Sequence, residues 1–384
     1  MNSRLTAARL ENLAAWFGAS VLVTAGVIYA INLQEGWARQ QWPRRGGDYV
    51  PPRATPAQEP FDLQQARAAE RDRGRDAFAP TQIPHRGWKD ILLRTYREVQ
   101  DDRLLALAAG VVFYSVVALF PALAAGVSVY ALFADAATIN SHLSVAANII
   151  PAAGLDILSQ EITRLASKSD SRLTLGFFVG LAIALWSANA GMKALFDTLN
   201  VIYDETEKRG LIKLNLVSLF FTICAIAGAG LAIAAVVVFP LVLAALGLTG
   251  LDHPYIAYLR WPLMFVLLIV ALAVLYRYGP SRTRARWRWI NVGSVFAALA
   301  WLAVSALFSW YLANMANYNA TYGALGAVIG LMMWMWLSTI VVLIGAELNS
   351  EIEHQTARDS TIGPEKPLGA RGAVMADTVG PRQG

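Results

Sequence analysis

Cysteine is nearly absent from this chain: Cys224 stands alone, so neither an intramolecular disulfide nor a thiolate metal cluster can form. Histidine is almost as scarce. His85, His142, His253 and His354 are scattered singly, and no His-x-His-x-Asp-His or His-Glu-x-x-His run occurs. Metal-assisted hydrolysis needs clustered imidazole and carboxylate ligands to hold the ion and activate water. Gly-Lys pairs are missing too, which removes the Walker phosphate loop. The expectation is therefore a protein that is not an enzyme, with no catalytic residues, no cofactor and no metal. Charge is the remaining shortage: 15% of the 384 residues are charged, where soluble domains carry about 25%. That deficit points to a surface that faces lipid.

Long apolar runs take the place of charge. A spanning helix needs roughly 20 mostly apolar residues. Leu13 to Leu33 meets this without a single charge, and further runs cover Leu104–Phe133, Leu173–Met192, Leu214–Leu248, Trp261–Tyr276, Ile290–Leu312 and Ala324–Ala346. Pro121 lies midway in the first of these six, where a kink is expected. The expected fold is all-α: a polytopic membrane bundle with a six-helix core and one extra N-terminal transmembrane helix. Between them, Gln34 to Gly87 is rich in Arg, Asp, Pro and Gln and lacks an apolar period, as a disordered linker would. Trp88, Ile91, Leu92, Tyr96 and Val99 then fall at helical spacing among basic residues, the pattern of a helix lying at the lipid–water boundary; a soluble amphipathic helix packed on the core is the alternative. The expected organisation is a helix in 1–34, a linker in 35–87, the core in 88–353 and a disordered tail in 354–384.

Basic residues orient the core. With the tail inside, the inner segments hold eighteen Lys and Arg, among them Arg94, Arg277, Arg284 and Arg371, against four in the outer loops. The positive-inside rule then places both ends of the core in the cytoplasm. The first run exceeds the apolar stretch of about 7–15 residues typical of a signal peptide and shows no convincing cleavage site, so it reads as a retained helix with its N-terminus outside.

A set of distributed motifs supports a family resemblance over Trp88 to Glu353. Phe113-Tyr114 and Phe120-Pro121 mark the first core helix, Trp186-Ser187-Ala188-Asn189 and Asn200-Val201-Ile202-Tyr203 the second. Tyr276-Arg277-Tyr278-Gly279-Pro280, Trp287-Arg288-Trp289, Tyr318-Asn319-Ala320-Thr321-Tyr322-Gly323 and Gly345-Ala346-Glu347-Leu348-Asn349 follow. In these the chain resembles the YihY/BrkB family of bacterial inner-membrane proteins, whose members carry the labels "virulence factor" and "ribonuclease BN". The resemblance implies a multi-pass protein of the bacterial inner (plasma) membrane with a six-helix core and cytoplasmic ends. It singles out Tyr114, Pro121, Asn319, Tyr322, Gly323, Gly345 and Asn349. The nuclease label finds no ligand set here, and the Arg277–Arg288 cluster is read as meeting anionic lipid headgroups rather than nucleic acid.

Polarity at membrane depth supplies the functional candidates. Asn189, Lys193, Asp197 and Asn200 fall within roughly an 80° arc of one helix face. Charge in a spanning segment is costly, so such a stripe is expected to face the bundle interior or a watery cavity. Arg277 and Glu347 end two other helices on the same side and complete a candidate polar pathway. Gly326 and Gly330 form a small-residue face suited to packing within the bundle or in a homo-oligomer. The leading expectation is a transporter or translocator of an amphiphilic envelope component; a non-transporting envelope scaffold is the alternative.

Overall fold

The computed structural model describes residues 69–133, 173–233, 254–314 and 324–383, all within one compact unit, Thr55–Gly384. The expected N-terminal helix, most of the linker, the later part of the Leu214–Leu248 run, and the motif residues Asn319, Tyr322 and Gly323 lie outside the described residues. Helix α1 spans His85–Asp101. The six core helices are α2 (Leu104–Phe133), α3 (Leu173–Ile202), α4 (Leu211–Ile233), α5 (Pro254–Tyr278), α6 (Asn291–Asn314) and α7 (Ala324–Gln355). A single turn, α8, covers Val374–Asp377. The fold is an all-α polytopic membrane bundle. Among the described residues, four stretches are long and apolar enough to cross a bilayer: Leu211–Ala232, Trp261–Tyr278, Asn291–Leu312 and Val328–His354.

Helices α3 and α7 outrun their apolar segments where polar residues find partners. Helix α3 continues past Met192 to Ile202, and α7 continues past Ala346 to Gln355. Pro121 sits within the continuous helix α2. The well-packed core gathers toward one end of the bundle, where Leu104, Phe196, Leu199, Leu272, Tyr276, Ala297, Leu343 and Ala346 are buried together. Farther along, apolar side chains point outward: Leu216, Phe220, Ile223 and Ile226 on α4, and Leu299, Leu302, Leu307 and Trp310 on α6. Such rows are costly in water and suited to lipid tails.

Helices α6 and α7 meet through glycine. A Cβ on Gly345 would lie 2.6 Å from the Ala297 Cβ, and one on Gly293 would lie 2.1 Å from the Gly345 carbonyl oxygen. The contact is therefore closed to any larger side chain, as in small-residue membrane interfaces. Hydrogen bonds flank it: Trp301 Nε1 donates to Ser338 Oγ at 3.0 Å, and Trp334 Nε1 to Ser305 Oγ at 3.2 Å. Gly330 of the Gly326–Gly330 face does not play this part, since a Cβ there would meet nothing within 4 Å.

Two organisational expectations are corrected. Residues 356–383 are folded against the bundle, and residues 70–84 form a second layer beside them. The tail makes an isolated antiparallel bridge, Ala285 with Thr361, and Arg286 N donates to Ser360 O at 2.8 Å. Thr356 Oγ1 donates to the carbonyl oxygens of Arg75 and Ala77 at 3.1 and 2.8 Å. Neither segment has an apolar period. Buried arginines and carboxylates hold them instead, which composition alone does not reveal.

Candidate functional site

Helix α1 is built the opposite way from a soluble amphipathic helix. Ile91 packs inward with Trp88 beside it, but the rest of the buried face is Asp90, Arg94, Thr95 and Glu98. Leu92, Leu93 and Tyr96 are exposed. The apolar set read from the sequence thus divides, with Leu92 and Tyr96 outside. This suits a helix at the lipid boundary whose polar face is met by protein.

Those partners come from α7 and the tail. Arg94 pairs with Glu351 and donates to Gln355 Oε1 at 2.7 Å and to the Pro381 carbonyl oxygen at 3.1 Å. Arg75 donates to the Gln355 and Gly380 carbonyl oxygens at 3.1 and 2.8 Å. Asp90 takes Arg73 on one side and accepts from Gln383 N at 2.9 Å on the other. Arg282 binds both oxygens of Glu353, at 2.7 and 2.6 Å, and lies over the Tyr203 ring. Arg371 donates to the carbonyl oxygens of Lys366, Arg358, Ala376 and Ala357, filling its fork inside the tail. Burial pushes the guanidinium pKa of Arg75 and Arg371 down, while Glu70 and Asp359 respectively push it back up. Burial would raise the Asp359 carboxyl, but hydrogen bonds from Thr361 and Lys366 bring it below the ordinary value. The result is a polar cap over one end of the bundle.

The sequence-derived candidates divide across this geometry. Asn200 belongs to the cap: its Oδ1 accepts from Ser281 N at 2.7 Å, and its Nδ2 donates to Glu207 at 3.1 Å. Burial alone would raise the Glu207 carboxyl, but donors from Arg209 and Asn200 hold it at about 2. Glu347 is fully buried on α7, with Ser350 Oγ within 3.4 Å. Asn349 Oδ1 accepts from Gly293 N at 2.8 Å, satisfying a donor that the first turn of α6 would otherwise leave open. Gly345 makes the α6–α7 contact, and Tyr114 sits half-buried beside Phe113. Arg277 is half-buried with its guanidinium 4.2 Å from the Trp287 ring centre.

The stripe on α3 does not face inward as a whole, and this corrects the sequence expectation. Asn189 and Asn200 are buried, Lys193 is half-buried 5.5 Å from the Trp186 ring centre, and Asp197 is exposed. On a helical wheel they fall in that order, so burial declines steadily across the arc. The stripe straddles the edge between bundle and surroundings. An apolar groove of about 290 Å³ lies between the far halves of α6 and α7, lined by Phe308, Tyr311, Leu312, Ile329, Met333 and Leu337 among others. None of the stripe residues lines it. Among the described residues, no group of three or more His, Cys, Asp or Glu converges as metal ligands.

The cap was missed because Arg94, Arg282 and Arg371 were counted only as orientation charges, while Arg73 and Arg75 fell within the expected disordered linker. One signal was available. Glu351 and Glu353 sit in the last turn of α7, where the helix dipole disfavours anions, and Arg94 and Arg282 supply the cations that offset it.

Comparison with known proteins accords with this architecture. Residues 95–369 match the family model "Virulence factor BrkB". Among curated relatives, the ribonuclease-like protein YfkH of Bacillus subtilis (strain 168) is 31% identical over 247 residues, 63% of this chain and 88% of that protein. A UPF0761 membrane protein of Methylibium petroleiphilum is 25% identical, covering 67% of this chain and 61% of the relative. Another, from Glaesserella parasuis serovar 5, is 28% identical over 54% of this chain and 70% of its own length. No solved structure matches. A match across most of the chain, on a bundle whose described residues include four helices of spanning length, assigns the protein to the virulence factor BrkB family of bacterial membrane proteins.

Proposed function

We propose that this protein is a non-enzymatic translocator of an anionic amphiphile in the bacterial inner membrane, with the polar cap on the cytoplasmic side. One observation carries the reading: the declining burial of Asn189, Asn200, Lys193 and Asp197 across the edge of α3. A water-soluble solute would need the stripe enclosed. An amphiphile needs it at the boundary, so that a polar headgroup follows the protein while its acyl chains stay in lipid. Lys193, half-buried at this edge, supplies a cation where charge is otherwise costly. The scaffold reading has support of its own in the apolar groove, which the stripe does not reach, and in the folded tail, a surface for partners.

The test is lipid movement. The full chain, reconstituted in phosphatidylcholine vesicles containing tail-labelled phosphatidylglycerol, should speed transfer of label between leaflets above protein-free vesicles. Lys193→Leu should slow it. Transfer equal to protein-free vesicles would give the scaffold reading the lead.

A further inference from the structure

Helix α5 ends in an arrangement that the cap does not use. Its apolar stretch of spanning length closes at Tyr278, where the helix ends. The Arg277 guanidinium lies 4.2 Å from the Trp287 ring centre and 5.6 Å from that of Tyr278. Arg284 approaches the same Tyr278 ring at 4.7 Å. Tyr278 and Trp287 meet edge to face, with centres 6.4 Å apart. Two guanidiniums thus pack on one pair of aromatic rings and are held by stacking.

Their hydrogen-bonding capacity is unspent. Arg277 Nε and Nη1 are buried and find no acceptor, and Arg284 makes its contact through the ring. The neighbouring arginines differ: Arg282 is bound to Glu353, and Arg286 donates to Thr361 O at 2.8 Å. Local anions are occupied as well, since Glu207 accepts from Arg209 and Asn200. Even the carbonyls ending α5 are covered, with Arg209 Nη2 donating to Gly279 O at 2.9 Å and Nη1 to Tyr278 O at 3.4 Å. The negative end of the helix dipole is thereby blunted, and the local field stays positive.

We infer that Arg277 and Arg284, held on Tyr278 and Trp287, bind the phosphate of one anionic lipid headgroup. The exposed Arg284 fork can match phosphate oxygens in pairs, and Arg277, two of whose nitrogens are buried, adds its positive charge beside it. Trp287, 45% exposed, and Tyr278 suit the headgroup level that amphipathic rings occupy. The site stands whether or not the protein moves lipid, because a scaffold could carry it equally.

Native mass spectrometry of the full chain, released from micelles doped with phosphatidylglycerol or phosphatidylcholine, tests the inference. Wild type should retain phosphatidylglycerol and release phosphatidylcholine. Arg277→Gln and Arg284→Gln should each weaken retention about tenfold, the loss of a charge-assisted contact. Arg288→Gln removes an exposed charge that packs on neither ring and should leave retention unchanged. Should Arg277→Gln fail to fold, Arg284→Gln decides alone, since its side chain is exposed. Retention unaltered in Arg284→Gln would overturn the site, as would an equal loss in Arg288→Gln, which would mean diffuse charge. Displacement of the lipid by millimolar glycerol phosphate would also overturn it, assigning the arginines to a soluble anion.

Discussion

Asn349 shows how a single polar side chain fixes a membrane interface. Its Oδ1 closes the open turn of α6 just where Gly293 and Gly345 bring the backbones together. Asn349→Ala should cost about 1–3 kcal/mol through the stranded Gly293 N–H. Gly345→Val should cost about 1–3 kcal/mol by overpacking against Ala297 and the Tyr276 hydroxyl. Thermal melting in detergent reads both. Glu207 gives a pH signature. Its folded pKa of about 2 lies below the ordinary 4.5, so its contribution is complete above about 4.5 and disappears as pH falls toward 2. The melting gap between wild type and Glu207→Gln should therefore be full at pH 6 and close across that acid window. A gap independent of pH would remove the carboxylate from the account.

At the scale of elements, the cap decides stability at one end of the bundle. Arg94→Ala leaves Glu351 buried without its cation and should cost about 3–5 kcal/mol. Replacing both by Met should recover much of that loss, a comparison that isolates the pair from its surroundings. Removing residues 1–87 deletes Arg73 and Arg75 and should lower the melting temperature relative to a chain beginning at residue 69. Equal melting would show the 70–84 layer to be ornamental. The six apolar runs were readable because lipid demands uninterrupted length, which composition displays directly. The cap was not, because Arg75–Gly380 and Arg94–Pro381 join residues about three hundred positions apart, with no period to betray the pairing. The α3 stripe was half readable: helical spacing gave its arc, but only the packing of neighbouring helices determines where that arc meets the bundle edge.

For the whole molecule, orientation remains the test of the charge bias. A reporter joined after Gly384 should lie in the cytoplasm, whereas one in the 315–323 segment should lie outside; the reverse pattern would invert the proposed translocator. Asp197→Ala should leave melting nearly unchanged, because its side chain is exposed, yet slow lipid transfer if the stripe guides headgroups. The cap also imposes an order on biogenesis. Arg94 emerges from the ribosome 287 residues before Pro381, and Arg75 precedes Gly380 by 305. At about 5–20 residues per second, the early arginines wait roughly 15–60 s for their final acceptors. Helices α1 to α7 have all been made by then, so the Gly380 and Pro381 carbonyls lock the early arginines only after the described bundle has been threaded, and a chain truncated before Gly380 should be inserted but removed by membrane proteolysis.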